Sequence, residues 1–245
     1  MKFIKKFLKL FKKKKVRNYT DKEIFNYAQK LIKCARIDYE ASKVLFKQKK
    51  KEYSVILYHL QQTVEKLVKA ETILRKSISI DELKEVSHKS PKVFMMGLEK
   101  AMRNKEINSF LKDKIPKDKL KEANRYLYNP KKIINSAKEE LLAILNFYEV
   151  FKNLGIIPGI YEEAKQKIKD VKLELNMDRN ETFMNLYFLS WITFPYSEIT
   201  RYPNGKINPY EYDKTKPIVQ VIPDIIKKIE PLIKFMENYK FENEK

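Results

Sequence analysis

Glycine is scarce in this chain: Gly97, Gly155, Gly159 and Gly205 are the only four among 245 residues. None stands in a Gly-x-Gly-x-x-Gly or Gly-x-x-x-x-Gly-Lys-Ser/Thr spacing. Both nucleotide-binding loops, in which glycine lets the backbone approach a phosphate, are therefore excluded. The single cysteine, Cys34, cannot form an intrachain disulfide, and the two histidines, His59 and His88, cannot complete a Cys/His zinc site. Glu85 and His88 make one Glu-x-x-His pair, but a di-iron bundle needs two. The expectation is an intracellular protein with no metal and no cofactor. Long apolar runs are missing as well. The longest uncharged stretch, residues 182–197, contains Asn185 and Pro195 and falls short of the roughly 20 apolar residues a bilayer requires. It reads as a buried core helix.

What is present is positive charge and enough apolar residues for a core. Hydrophobic residues make up 43% and aromatics 12% of the chain, which argues against wholesale disorder. The 52 basic residues, nearly all lysine, outnumber 32 acidic ones and leave a net charge of +20. Such a balance favours a polyanionic partner, nucleic acid or anionic membrane, held by point charges more than by arginine forks. A lysine-rich composition without functional meaning is the plain alternative.

Residues 1–17 hold nine of the basic residues and no acid. At about 100° per residue, Phe3, Ile4, Phe7, Leu8, Leu10 and Phe11 share one arc and the lysines fill the opposite one, the pattern of a basic amphipathic helix. Lysine interrupts it too often for a secretory signal. The segment can lie on an anionic membrane, fill a partner's groove, or pack on its own domain. A cytoplasmic protein is expected, with peripheral membrane attachment as one of these readings.

From residue 18 onward the pattern is helical, with no alternating strand signal and no repeat. Thr20 with Glu23 forms a capping box that opens an apolar run at Ile24, Tyr27, Ala28, Leu31, Ile32, Ala35, Tyr39, Ser42, Leu45 and Phe46. A second run, Ile56, Leu57, Leu60, Val64, Leu67, Val68 and Leu74, ends near Arg75, and the short connection predicts an antiparallel hairpin. Ser79 with Glu82 makes another capping box; Ser90-Pro91 and Asn129-Pro130 predict further helix starts. Helices are expected over 131–152, 160–175 and 180–195, a loop over 202–216, and a closing helix from Ile218 to Met236 that Pro223 and Pro231 start or kink. The class is all-α, one domain over 18–245, in which the hairpin packs on the 180–195 and closing helices.

Three stretches carry a resemblance. Residues 35–41, Ala-Arg-Ile-Asp-Tyr-Glu-Ala, lie on the first helix. Residues 58–70 on the second read Tyr-His-Leu-Gln-Gln-Thr-Val-Glu-Lys-Leu-Val-Lys-Ala, with Gln61-Gln62, Glu65-Lys66 and Lys69-Ala70. Thr200-Arg201-Tyr202-Pro203 is followed by Pro209-Tyr210 and a closing helix. In this order they resemble the HEPN superfamily, the nucleotide-binding helical domains of higher eukaryotes and prokaryotes. The resemblance covers residues 21–90 and about 178–240, and a helical insertion is expected at about 91–176. It implies a bundle that binds RNA or a nucleotide, a homodimer with a site across the two-fold axis, and a partner of the nucleotidyltransferase type in a toxin–antitoxin or defence system.

Catalytic members of that family are metal-independent ribonucleases with an Arg-x(4–6)-His motif. In this chain no arginine stands at that spacing before His59 or His88. The nearest match runs from Arg179-Asn180 to Asn185, with asparagine where the family has histidine. Asparagine cannot titrate, so the implied function is binding without cleavage, by Arg179, Asn180 and Asn185, with Arg201 and Tyr202 at the turn. The other reading of Arg179 is a solvated residue at a helix start. Gln61, Glu65, Lys69 and His88 are candidates for a ligand or dimer face, against an ordinary polar stripe. His59 reads as structural and His88 as fixing a loop. Two alternatives remain open: an active ribonuclease using His59 or His88 with Arg179, and a membrane-surface scaffold led by residues 1–17.

Overall fold

A computed structural model describes residues 18–86, 90–93, 96, 134–153, 177–200 and 208–239. All regular structure among them is helical. Residues 1–17, the expected helices at Asn129-Pro130 and 160–175, most of the expected insertion, and His88, Arg201 and Tyr202 lie outside the described residues.

Helix α1 (Asp21–Lys47) starts where its capping box places it. The Glu23 amide donates to Thr20 Oγ1 at 3.2 Å and the Thr20 amide to Glu23 Oε2 at 2.8 Å, satisfying two backbone donors that the first turn leaves over. Helix α2 (Tyr53–Leu74) runs back along it, and Ala28, Ile32, Ala35 and Tyr39 of α1 are buried against its apolar side. Helix α2 ends in a two-bond cap: the Lys76 amide donates to the Ile73 carbonyl at 2.9 Å and the Ser77 amide to the Thr72 carbonyl at 3.1 Å. That closure requires a left-handed residue, which is Lys76, at φ 54°. The second capping box then opens α3 (Ile80–Val86), with the Ser79 amide 2.7 Å from Glu82 Oε2 and the Glu82 amide 3.2 Å from Ser79 Oγ. The Tyr19 hydroxyl ties the entry of α1 to Asp81 on α3 at 2.8 Å.

Residues 90–93 are helical, with Ser90 and Val93 buried. Helix α4 (Lys138–Asn153) is shorter than the expected 131–152 helix, because the chain leaves helical geometry around residues 135–137. Ala137, assigned to the apolar face by periodicity, is exposed, and Ser136 is buried in its place. Helix α5 (Met177–Thr193) ends before Pro195 and is followed by the short α6 (Tyr196–Ile199). The expected loop contains one 3-10 turn, Pro209–Glu211. The closing helix is two helices, α7 (Pro217–Gln220) and α8 (Ile222–Glu237), each with proline in its first turn, where no backbone N–H is needed. Pro231 sits inside α8.

Helix α2 is the axis of the packing. It touches α1, α5, α6, α8 and the 3-10 turn, while α8 also packs on α1, α4 and α5. Ile56, Leu57, Leu60, Val64, Leu67 and Val68 are each at most 1% exposed. Surrounded on several sides, α2 buries polar residues too, and these define the candidate site.

Candidate functional site

Two polar clusters lie along α2. In the first, His59 Nδ1 is 3.0 Å from Asp38 Oδ1, and Lys66 Nζ donates to Asp38 Oδ2 at 2.7 Å and to Gln62 Oε1 at 3.1 Å. Gln62 Nε2 donates to Gln61 Oε1 at 2.7 Å, Gln61 Nε2 to Glu65 Oε2 at 2.9 Å, and Lys69 Nζ to Glu65 Oε1 at 2.7 Å. One hydrogen-bonded chain thus runs from His59 on the α1–α2 edge to Lys69. Gln61 and Glu65 are buried, whereas His59, Asp38 and Lys66 keep side-chain exposures of 25%, 18% and 23%. Burial works to raise the Asp38 pKa, but the hydrogen bonds from His59 and Lys66 outweigh it and hold the carboxylate below its ordinary value.

The spacing that singled out Gln61, Glu65 and Lys69 therefore corresponds to a real contact set. The three residues bond to one another inside the protein, and their main partners come from α2 itself. A buried amide or carboxylate is costly unless bonded, and the alternation of donors and acceptors along this chain supplies the bonds.

The second cluster stands at the carboxyl end of α2. Glu71, 2% exposed, accepts from Arg75 Nε at 2.6 Å and from Arg179 Nε at 3.4 Å, both on Oε1. Arg75 reaches across to α5, donating to Asn180 Oδ1 at 3.1 Å and to the Arg179 carbonyl at 2.7 Å. Arg179 donates to the Tyr239 hydroxyl at 2.9 Å. Each guanidinium lies over an aromatic ring, Arg75 over Phe183 at 4.4 Å and Arg179 over Tyr239 at 4.8 Å. Arginine can only donate, so its bond fixes the Asn180 amide with Oδ1 inward and Nδ2 turned away from Arg75.

Arg179 is 5% exposed and is not a solvated residue at a helix start. Sequence spacing alone missed Glu71, Arg75 and Tyr239. The i, i+4 pair Glu71/Arg75 was the available signal, and nothing local pointed to a tyrosine 60 residues beyond Arg179.

Asn185 does not join this cluster. Six residues along α5 place it about 9 Å further on and about 120° around the helix from Arg179. It is 7% exposed, and its Oδ1 accepts no hydrogen bond among the described residues. Nor does His59 approach Arg179: Glu71, which holds Arg179, is 12 residues from His59 along α2, about 18 Å of helix. The described residues contain no group of three or more His, Cys, Asp or Glu able to hold a metal ion, and no described helix is long and apolar enough to cross a membrane.

No protein family, curated protein or solved structure matches the chain.

Proposed function

We propose that this chain is a HEPN-like, RNA- or nucleotide-binding helical protein that performs no cleavage at its Arg179 corner. The observation that carries the reading is the convergence of Arg75, Arg179 and Asn180 at the end of α2. The Asn180 amide and the part-exposed Arg75 guanidinium, held in place by Glu71 and by the buried Arg179 behind them, are groups of the kind that recognise phosphate, and a chain of charge +20 draws polyanions toward them. The absence of cleavage follows from chemistry. Asn185 has no group that titrates near neutral pH, it faces another side of α5, and His59 is too distant to replace it. The resemblance adds homodimerisation and a nucleotidyltransferase-type partner to this proposal. Its compartment is the cytoplasm, with residues 1–17 as a second contact for anionic surfaces.

The test is binding of a labelled single-stranded RNA, followed by fluorescence anisotropy at several salt concentrations. Asn180→Ala and Arg75→Ala should each weaken binding, with melting temperature as the control for folding. Unchanged affinity in folded Asn180→Ala and Arg75→Ala, or no binding even at low salt, overturns the proposal. A stable complex with a co-expressed protein and none with RNA would favour the partner-protein reading.

A further inference from the structure

We propose that the outer face of α4 is a docking site for residues 1–17 of the same chain, seated there as a basic amphipathic helix. The inference goes beyond the RNA reading above and does not rest on it.

Helix α4 turns Leu141, Leu145 and Tyr148 into the bundle, where each is at most 2% exposed. Its opposite face carries Glu139, Glu140, Ala143, Phe147, Glu149 and Val150, all exposed. Ala143, Phe147 and Val150 follow the i, i+4, i+7 spacing by which one helix lays an apolar stripe against another. Phe147 leans on Phe188 of α5 with ring centroids 4.9 Å apart and still keeps 43% of its surface in water; Val150 keeps 49%. Acid borders the stripe. Glu149 pairs with Lys228 at 2.7 Å, while Glu139 and Glu140 make no ion pair among the described residues. In a chain of charge +20, three exposed carboxylates around an apolar stripe are the complement of a segment whose own apolar arc is bordered by nine basic residues and no acid.

The exposed apolar residues of α1 offer no such match. Ile37 and Val44 are 69% and 60% exposed, but Lys30, Lys33 and Lys47 flank them, and Glu40 between them is already held by Arg36 and Lys43. That face repels a lysine-rich segment.

The chain reaches α4 as well. Lys76 at the end of α2 pairs with Asp21 at the start of α1 at 2.8 Å, Arg75 bonds Asn180 near the start of α5 at 3.1 Å, and Glu181 pairs with Lys152 near the end of α4 at 2.8 Å. The start of α1 and the end of α4 therefore stand at one end of the bundle. Helix α8 packs on both, which puts them within two helix spacings, roughly 16–20 Å. The chain from Phe11 to Asp21 spans up to roughly 33 Å when extended. Residues 3–11, about 13 Å long as a helix, fit along the about 24 Å of α4. Docking covers the apolar arc and engages the lysines, so α4 competes for this segment with any other anionic surface.

The experiment uses the full chain with Cys34→Ser and Lys9→Cys, and a dansyl label on the introduced thiol. Trp191, the single tryptophan, lies behind the α4 face, edge-on to Phe188 at 6.0 Å, and is the energy donor. Transfer from Trp191 to the label should be well above that of the same chain unfolded in urea. Glu139→Lys combined with Glu140→Lys, and Val150→Ser alone, change exposed positions that leave the fold intact, with circular dichroism as the control. Each should lower the transfer about twofold or more. Transfer in the folded chain no greater than in urea, or unchanged in the charge-reversed chain or in Val150→Ser, overturns the proposal. Neither result bears on RNA binding at Arg75 and Asn180, which anisotropy reads separately.

Discussion

Arg36 on α1 grips Glu237 at the end of α8 with two parallel bonds, Nε to Oε1 at 2.9 Å and Nη2 to Oε2 at 2.7 Å, joining positions 201 residues apart. The same guanidinium reaches Glu230 at 3.3 Å, and Lys43 approaches Glu230 at 3.5 Å. Planar pairing of this kind is the geometry in which an arginine ion pair contributes most. It closes the last helix onto the first.

This clasp predicts acid sensitivity. The Tyr39 hydroxyl contributes most to holding Glu230 low, and Arg36 and Lys43 add to it against an opposing cost of burial, bringing its pKa from 4.5 to about 2. In the unfolded chain this carboxyl protonates near 4.5, so between there and about pH 2 the unfolded state binds the extra proton. Its contribution is complete above about pH 5 and is lost as pH falls through that window. After solvent screening the loss is on the order of 2 kcal/mol. Urea unfolding at pH 7, 5, 4 and 3 measures it, and Arg36→Ala should flatten the decline while lowering stability at pH 7.

Lys76 should be a site of easy stabilisation. Its φ of 54° costs a residue with a Cβ about 1 kcal/mol, and glycine is free of that cost. Its ion pair with Asp21, 61% and 50% exposed, offsets little. Lys76→Gly should raise the melting temperature by roughly 2–4 °C, and Lys76→Val should lower it.

Glu71 should be among the least replaceable side chains. Removing its carboxylate leaves the guanidinium groups of Arg75 and Arg179 without the acceptor they share, and breaking a buried pair in this way costs about 3–5 kcal/mol. Glu71→Ala should lower the urea midpoint by that equivalent with an unchanged slope.

Deleting residues 1–17 separates the amino-terminal segment from the fold. The Thr20 capping box starts α1 without help from upstream, so the truncated chain should keep its helical content. If the segment is a surface anchor, binding to vesicles of anionic lipid disappears with it, each lysine near the surface having contributed about 1 kcal/mol. A lower melting temperature with vesicle binding unchanged would instead assign it to packing on its own domain.

The parts of the fold that were legible in the sequence are those fixed by near neighbours. Both capping boxes involve residues three apart, and the apolar runs of α1 and α2 repeat at helical spacing, so local chemistry sufficed for them. Ile133 and Ile134 continued the apolar rhythm of α4 across a break that only Ser136 marks. Lys76 took a position that usually signals itself by glycine. The polar residues of α2 were legible as pairs but not as interior, because amphipathic reasoning assigns Gln61 and Glu65 to water. They are buried because helices pack around more than one side of α2, a property of the assembled bundle. For the same reason Arg179 was found as a candidate while Glu71 and Tyr239, which hold it, were not.

The bonds between Lys66 and Glu65 impose a direction on the two amides that connect them. Lys66 can only give protons and an ionised Glu65 can only receive them, so Gln62 must present oxygen to the lysine and Gln61 must present nitrogen to the glutamate. Both amides therefore point the same way, and turning either one sets donor against donor or acceptor against acceptor. Asp38 and Lys69 lie at the two ends of the same chain, bonded to Lys66 and Glu65, so exchanging acid and base at 65 and 66 would set a carboxylate against Asp38 and a lysine against Lys69. Positions 38, 61, 62, 65, 66 and 69 consequently change together or not at all.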